Sequence, residues 1–346
     1  MMALQPPTGS TMRKLRYGAM ALTIVVAVGA FLGAQRLDLI PGPWSKKKSL
    51  FGAESMGGID AFSVEIAANP ENYMHYYRRG TLFQKQRQYE KALADLDAAV
   101  RLSPTPLTVA ALGSRAGDTT HSPTHTLGLV VLVRTTRAEI LQQLNRPDEA
   151  LADLDQALAL DARKDDVQFA RGHLRMVLGR YDDAISDFDK LLDKRHDVDW
   201  HFSRGVSKYL KSDWIGAIAD FREAAHRAPR QDSYFIWLAK AHLRAGIIMD
   251  PQQFSALGSN GNARYVIEAF MSDHDSAQFI AGARAASAYA GRNGRCETTL
   301  FLGEWLVVRK KGKGARDLFH EALSACRPLS VEHTVAAFEL RRLAAQ

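Results

Sequence analysis

Hydrophobic and polar positions along the chain fall into three stretches with different periods. Tyr17 to Ala34 is a nearly unbroken apolar run, with AMALTIVVAVGAFLG at its centre and the basic residues Arg13, Lys14 and Arg16 before it, which predicts one membrane-spanning helix over 17–34 behind a tail of 1–16. From 35 to 68 no period is found. Pro41-Gly42-Pro43 is a stiff break, and lysines, serines and glycines follow, so this stretch reads as a linker. From 69 to the end, apolar residues recur at helical spacing, and the segment Tyr73 to Pro104 matches later segments at spacings of 33 or 34 residues. Gly80, Ala138, Gly172, Gly205, Ala239 and Gly303 share one small-residue position, and Ala92, Ala150, Ala184, Ala217 and Ala315 share another. Leu96, Leu154, Phe188, Phe221 and Phe319 fill a large slot four positions after the second small one, and Pro104 and Pro229 end that helix. The pattern predicts antiparallel helix pairs near 73–104, 131–162, 165–196 and 198–229, a degenerate pair over 232–290, another at 296–328 and a capping helix at 330–344. Between the first two pairs the spacing grows by 24 residues around Ser114 to Thr120, which reads as an exposed loop carrying His121 and His125.

A charged pair recurs in the same register. Arg79, Arg137, Arg171 and Arg204 precede the small position of the first helix, and Asp95, Asp153, Asp187 and Asp220 stand sixteen residues later on the second. The spacing sets each Arg opposite its own Asp across the pair. A guanidinium between helices needs such a partner, because an unpaired buried charge costs several kcal/mol. In the last pair both positions are leucine, Leu302 and Leu318, so the two charges disappear together.

These small, large and charged positions resemble the tetratricopeptide repeat family, which implies an all-α solenoid of antiparallel helix pairs and a role in binding proteins. In that family the second, fifth, ninth and twelfth positions of each first helix line a concave groove. Here they include Tyr77, Phe169, His173, Met176, Phe202 and Tyr209, an aromatic and methionine-rich strip suited to an amphipathic or extended peptide. The lysines and asparagines of a carboxylate-clamping groove are missing, which disfavours a cytosol-facing co-chaperone. The part from Trp214 to Leu343 further resembles NlpI-type bacterial envelope proteins, through Tyr234-Phe235-Ile236-Trp237-Leu238-Ala239, Tyr265-Val266-Ile267, Asp275 to Phe279, Thr299 to Gly303, and Val331-Glu332-His333 with Phe338-Glu339-Leu340. That resemblance implies a periplasmic scaffold that brings peptidoglycan hydrolases to a protease and pairs as a homodimer. No lipobox cysteine is present, and the first repeats lie outside the likeness.

Charge and chemistry change the picture little. The net charge of +7 sits partly beside the apolar run, at Arg13, Lys14, Arg16 and Lys46 to Lys48, so a membrane is expected as a partner and nucleic acid is not. Arg36 and the lysine triplet balance the N-terminal cluster, so charge does not orient the anchor. Val28-Gly29-Ala30 and Leu32-Gly33-Ala34 leave a cleavable signal peptide open beside the favoured uncleaved anchor. Cys296 and Cys326 fall at the start and end of one hairpin, where antiparallel helices bring them together; a disulfide and two unpaired thiols both fit. A disulfide places the repeats in an oxidising compartment, and with the envelope resemblance this points to a bacterial inner-membrane protein with its repeats in the periplasm. No catalytic constellation is found, and neither a metal nor a cofactor is expected. His196 and His201 sit on a turn without ligand spacing, and Arg309 to Lys313 read as a solvated turn. The expected function is that of an adaptor for envelope proteins or peptides, with a structural subunit of a membrane complex as the alternative.

Overall fold

The computed structural model describes residues 58–105, 123–229, 232–247, 281 and 291–345. The expected anchor at 17–34, most of the linker, the insert around Ser114 to Thr120 and most of 248–290 lie outside them. All regular structure among the described residues is helical. None of these helices is long and apolar enough to cross a membrane.

The chain divides into two units, Pro41–Arg195 and one that takes in His196–Gln346. The first holds α1 (Ile59–Ala68), α2 (Tyr73–Lys85), α3 (Tyr89–Leu102), α4 (Pro123–Gln143), α5 (Pro147–Leu160), α6 (Asp165–Val177) and α7 (Tyr181–Leu192). The second holds α8 (Val198–Leu210), α9 (Trp214–Arg227), α10 (Asp232–Ala245), α11 (Gly291–Val308), α12 (Gly312–Ala325) and α13 (Val331–Ala344). Within the first unit each helix packs on its neighbour in sequence, from α1 on α2 through to α6 on α7. In the second, α8 pairs with α9, α9 with α10 and α11 with α12, while α13 covers both helices of that last pair. Three boundaries differ from the sequence expectation, one of them the start of α11 at Gly291, five residues before 296. A helix, α1, occupies the end of the stretch read as linker to residue 68. His125 belongs to α4, which starts eight residues before 131, with Pro123 in its first turn, where a missing N–H costs nothing.

The small residues let the helices of a pair meet. A Cβ added to Gly205 would lie 2.7 Å from the Phe221 ring, and one on Gly172 2.9 Å from Phe188. The facing alanines and large residues, Ala92 with Leu96 through Ala315 with Phe319, are fully buried. The turn inside each pair places one residue in the left-handed region two positions before the second helix: Arg87, Asn145, Gly179, Ser212 and Lys310. Only one of these is glycine, so the other turns are held against a local steric cost by the packing on either side.

The same close approach engages the charges. Arg79 donates to Asp95 through Nε and Nη2 at 2.8 and 2.7 Å, Arg137 to Asp153 at 2.6 and 2.8 Å, and Arg171 to Asp187 at 3.0 and 2.6 Å. Arg204 binds Asp220 at 3.0 and 2.6 Å. The third guanidinium nitrogen reaches backwards: Arg137 Nη1 to Asp97 at 3.0 Å and Arg171 Nη1 to Asp155 at 2.9 Å. Arg137 and Arg171 therefore each close their own pair and stitch it to the one before. In the last pair Leu302 and Leu318, both buried, replace the ions.

That replacement suggests a test on α2 and α3. Asp95→Leu leaves Arg79 without its carboxylate and is expected to cost about 3 kcal/mol in urea unfolding, whereas Arg79→Leu with Asp95→Leu should be near neutral.

Candidate interaction surface

The strip read as a peptide groove is largely core. Tyr77, Phe169, Met176, Phe202 and Tyr209 are all buried, Met176 and Tyr209 completely, and only His173 of the six is half-open. Phe169 packs on Phe188 with ring centroids 5.8 Å apart. Phe202 meets Phe221, Tyr234 and Trp237 at 5.6, 4.9 and 5.9 Å, and Tyr209 meets Trp214 and Trp237. Spacing placed these residues on one helix face, but their size carries them into the packing between helices. What stays half-open at the equivalent positions in the first unit is mixed: Met74 and Leu132 near the helix starts, and the polar Thr81 and Gln84 on α2, Glu139 and Gln142 on α4, and His173 on α6. Gln84 Nε2 donates to Glu139 at 3.0 Å, joining α2 to α4 along this face. Desolvation lowers the pKa of His173 to about 4, so at neutral pH it offers an uncharged imidazole.

The second unit holds a buried charge network that sequence spacing did not reveal. Arg244 of α10 donates through Nη2 to Glu304 of α11 at 2.8 Å and is paired with Glu339 of α13 at 2.7 Å. Its Nε donates to the Tyr209 hydroxyl of α8 at 3.2 Å, and that hydroxyl donates to Glu304 at 3.2 Å. Lys240 lies 3.5 Å from Glu304 and sits over the Trp237 ring at 3.9 Å. Arg342 donates to Glu339 at 3.0 Å. Glu304 and Glu339 are essentially inaccessible, and one oxygen of each has no hydrogen-bond partner. Burial, with Glu304 beside it, pushes the Glu339 carboxyl up to about 7 although Arg244 and Arg342 pull it down. For Glu304 burial also acts upward, but Lys240 and Arg244 outweigh it and hold its pKa below the usual value. The signal for this network was in the chain: Glu304 stands two residues after the leucine that replaces an arginine, and Glu339 lies on the otherwise apolar stripe of α13.

Asp220 is the other charged centre of this unit. Burial raises its pKa, but hydrogen bonds from His201, Arg204 and Lys208 prevail and hold it at about 2. His201 reaches Asp220 at 3.5 Å through Nδ1 and faces His196 Nδ1 through Nε2 at 3.3 Å. The two imidazoles are nearly parallel with centroids 5.4 Å apart, which aims their nitrogens at each other as in a hydrogen bond and leaves no room for a metal between them. Among the described residues no group of three or more metal-binding side chains occurs. Arg309, read as solvated, is half-buried over the Trp305 ring at 4.0 Å. The sulfurs of Cys296 and Cys326 lie at bonding distance, with Cα atoms 4.8 Å apart, in the second turn of α11 and just past the end of α12.

A sequence model of the tetratricopeptide repeat matches residues 59–117, 135–199 and 169–232. Solved structures that the chain is similar to include a tetratricopeptide repeat protein from Parabacteroides merdae, at 16% identity over 82% of this chain and 91% of that one, with a TM-score of 0.48. Others are the C-terminal part of a repeat protein from Cytophaga hutchinsonii, at 14% identity, 77% and 88% coverage and TM-score 0.43, and PilW, a type IV pilus biogenesis factor, at 15%, 75% and 96%, and 0.41. No curated protein matches the sequence.

Two expectations follow. Phe202→Ala empties a fully packed site and should destabilise by about 3–5 kcal/mol, read as a lowered denaturation midpoint of the second unit, so loss of binding in that variant reports unfolding. Glu339 holds its proton more tightly folded than unfolded, so its contribution to stability is greatest below about pH 4.5 and declines as pH rises through 7. Melting temperatures across pH 5 to 8 should fall in the parent and stay flat in Glu339→Gln.

Proposed function

We infer that this chain, which belongs to the tetratricopeptide repeat proteins, is a non-catalytic scaffold that binds other proteins on the exposed faces of its helix pairs. One observation supports it above the rest: in four successive pairs the same small-residue contact and the same two-pronged Arg–Asp clamp hold the helices. A surface ordered in advance loses little conformational freedom on binding, which is what a scaffold requires. The polar row of Thr81, Gln84, Glu139 and Gln142 gives that surface hydrogen-bonding capacity for a peptide or a polar helix.

We further propose that residues 17–34 anchor the protein in a bacterial inner membrane with the repeats in the periplasm. The apolar run and the approach of Cys296 to Cys326 support this reading, since a stable disulfide needs an oxidising compartment. The finer role, joining peptidoglycan hydrolases to a protease as a homodimer, rests on the NlpI-type likeness of Trp214 to Leu343.

Cross-linking with mass spectrometry in intact membranes tests the scaffold reading. Cross-links to a partner should cluster on α2, α4 and α6 and drop at least about tenfold in Glu139→Arg; capture that ignores this substitution moves binding elsewhere. For the compartment, alkylation of cell-derived protein without reductant should leave both cysteines unmodified and joined, and free thiols would sink the periplasmic assignment.

A further inference from the structure

We infer that α1 is the second helix of an incomplete pair, and that it docks one amphipathic helix of a partner protein, apolar where the other first helices carry arginine, which supplies the missing first helix. The register comes from the arginines. Arg171 reaches back sixteen residues to Asp155 on the preceding second helix, and Arg79 makes the same reach, over the same interval, to the Ser63 hydroxyl of α1 at 3.0 Å. Asp97, the residue that Arg137 grips, stands 34 residues after Ser63. With Ser63 in that place, Gly58 takes the small slot of Ala92 and Ala150, Ala61 the slot of Asp95 and Asp153, and Phe62 the large slot of Leu96 and Leu154. Helix α1 is thus built like the second helix of a pair.

Its contacts are only half those of one. In the complete pairs the small and large slots are sealed, with Ala92, Leu96, Ala150, Leu154, Ala184 and Phe188 all at 0% exposure. On α1 no residue is buried; Gly58 is exposed, Phe62 is half-open and Val64 is 69% exposed. A Cβ added to Gly58 would meet nothing within 4 Å, whereas one on Gly205 would strike Phe221. The side toward α2 is engaged by Ser63, while Glu65, which takes the slot of the buried Ala99 and Ala157 on the face of Ala61 and Phe62, has its carboxylate 3.3 Å from His75 of α2. Among the described residues only α2 packs on α1, and Gly58, Ala61 and Phe62 carry no helix of their own pair.

The preceding sequence lacks the pattern for that helix. A repeat earlier than Tyr73–Lys85 are residues 39–51, with Pro41 and Pro43 at would-be interior positions and Lys46 in the small slot. No segment in that register supplies the helix, so the occupant is assigned to another polypeptide, and the slots of α1 state its chemistry. With Ala61 in the aspartate slot, an arginine on the incoming helix would sit without a carboxylate. The matching arrangement within this chain is the last pair, where Leu302 and Gly303 face Leu318 and Phe319. The partner helix carries an apolar residue followed by Gly or Ala at its centre.

Two fluorescent peptides and the detergent-solubilised full chain test this by anisotropy. One peptide has the sequence of residues 297–309, with Leu302 and Gly303 at its centre; the other has that of 165–177, with Arg171 and Gly172. The leucine peptide should bind at least about tenfold more tightly. Gly58→Leu, whose Cβ would meet nothing within 4 Å, should abolish its binding, and Ala61→Asp should reverse the preference. Equal binding of both peptides, or indifference to both substitutions, overturns the proposal. A dimer in sedimentation that dissociates with Gly58→Leu gives the face to a second copy and overturns it equally. Neither substitution touches Gln84 or Glu139, so failure here leaves the scaffold reading standing.

Discussion

The contact on which the structure depends is the one between a small residue of the first helix and a large residue of the second, because it brings an arginine and an aspartate together. Each Arg stands immediately before the small residue, and each Asp immediately before the large one. When Gly172 closes on Phe188, Arg171 is carried to Asp187 with no further freedom to choose. Packing pays the desolvation of the ions, and the ions make any other helix crossing costly. In Arg137 and Arg171 the remaining guanidinium nitrogen then finds the preceding pair, so one residue type serves both the pair and its neighbour.

The second unit solves the same problem differently toward its end. The last pair has leucines where the ions would be, and the charges are gathered instead at Arg244, which bridges Glu304 of α11 and Glu339 of α13. Such a network is a weak source of stability but a strong source of specificity, since every other placement of α13 leaves Glu339 or Arg244 unpaired. Its position beneath the aromatic cluster of Tyr209 and Trp237 keeps water from relaxing it.

The repeat register was legible in the sequence because it rests on local, recurring residues: the small positions, the large slot and the Arg and Asp sixteen apart. The candidate groove was not legible in the same way. Periodicity assigns Phe202 and Tyr209 to a face, but whether that face is open depends on neighbouring helices, and here Tyr234 and Trp237 cover it. The Arg244 network escaped notice because its members come from α8, α10, α11 and α13, far apart in the chain, and only the structure sets them side by side. Helix α1 was hidden for the opposite reason. Its pattern is a repeat with one half missing, and Ser63 and Ala61 replace the acidic residues that mark the others.

The cysteines stand in the one described complete pair that has no Arg–Asp clamp. A stack held by nearest neighbours opens from its termini, where a helix pair has company on one side only. A bond between Cys296, in the second turn of α11, and Cys326, just past α12, would keep the two helices from parting beneath α13. Within the second unit, thermal opening and proteolysis would then begin away from the α11–α12 pair, a direction that reduction of a single bond would erase.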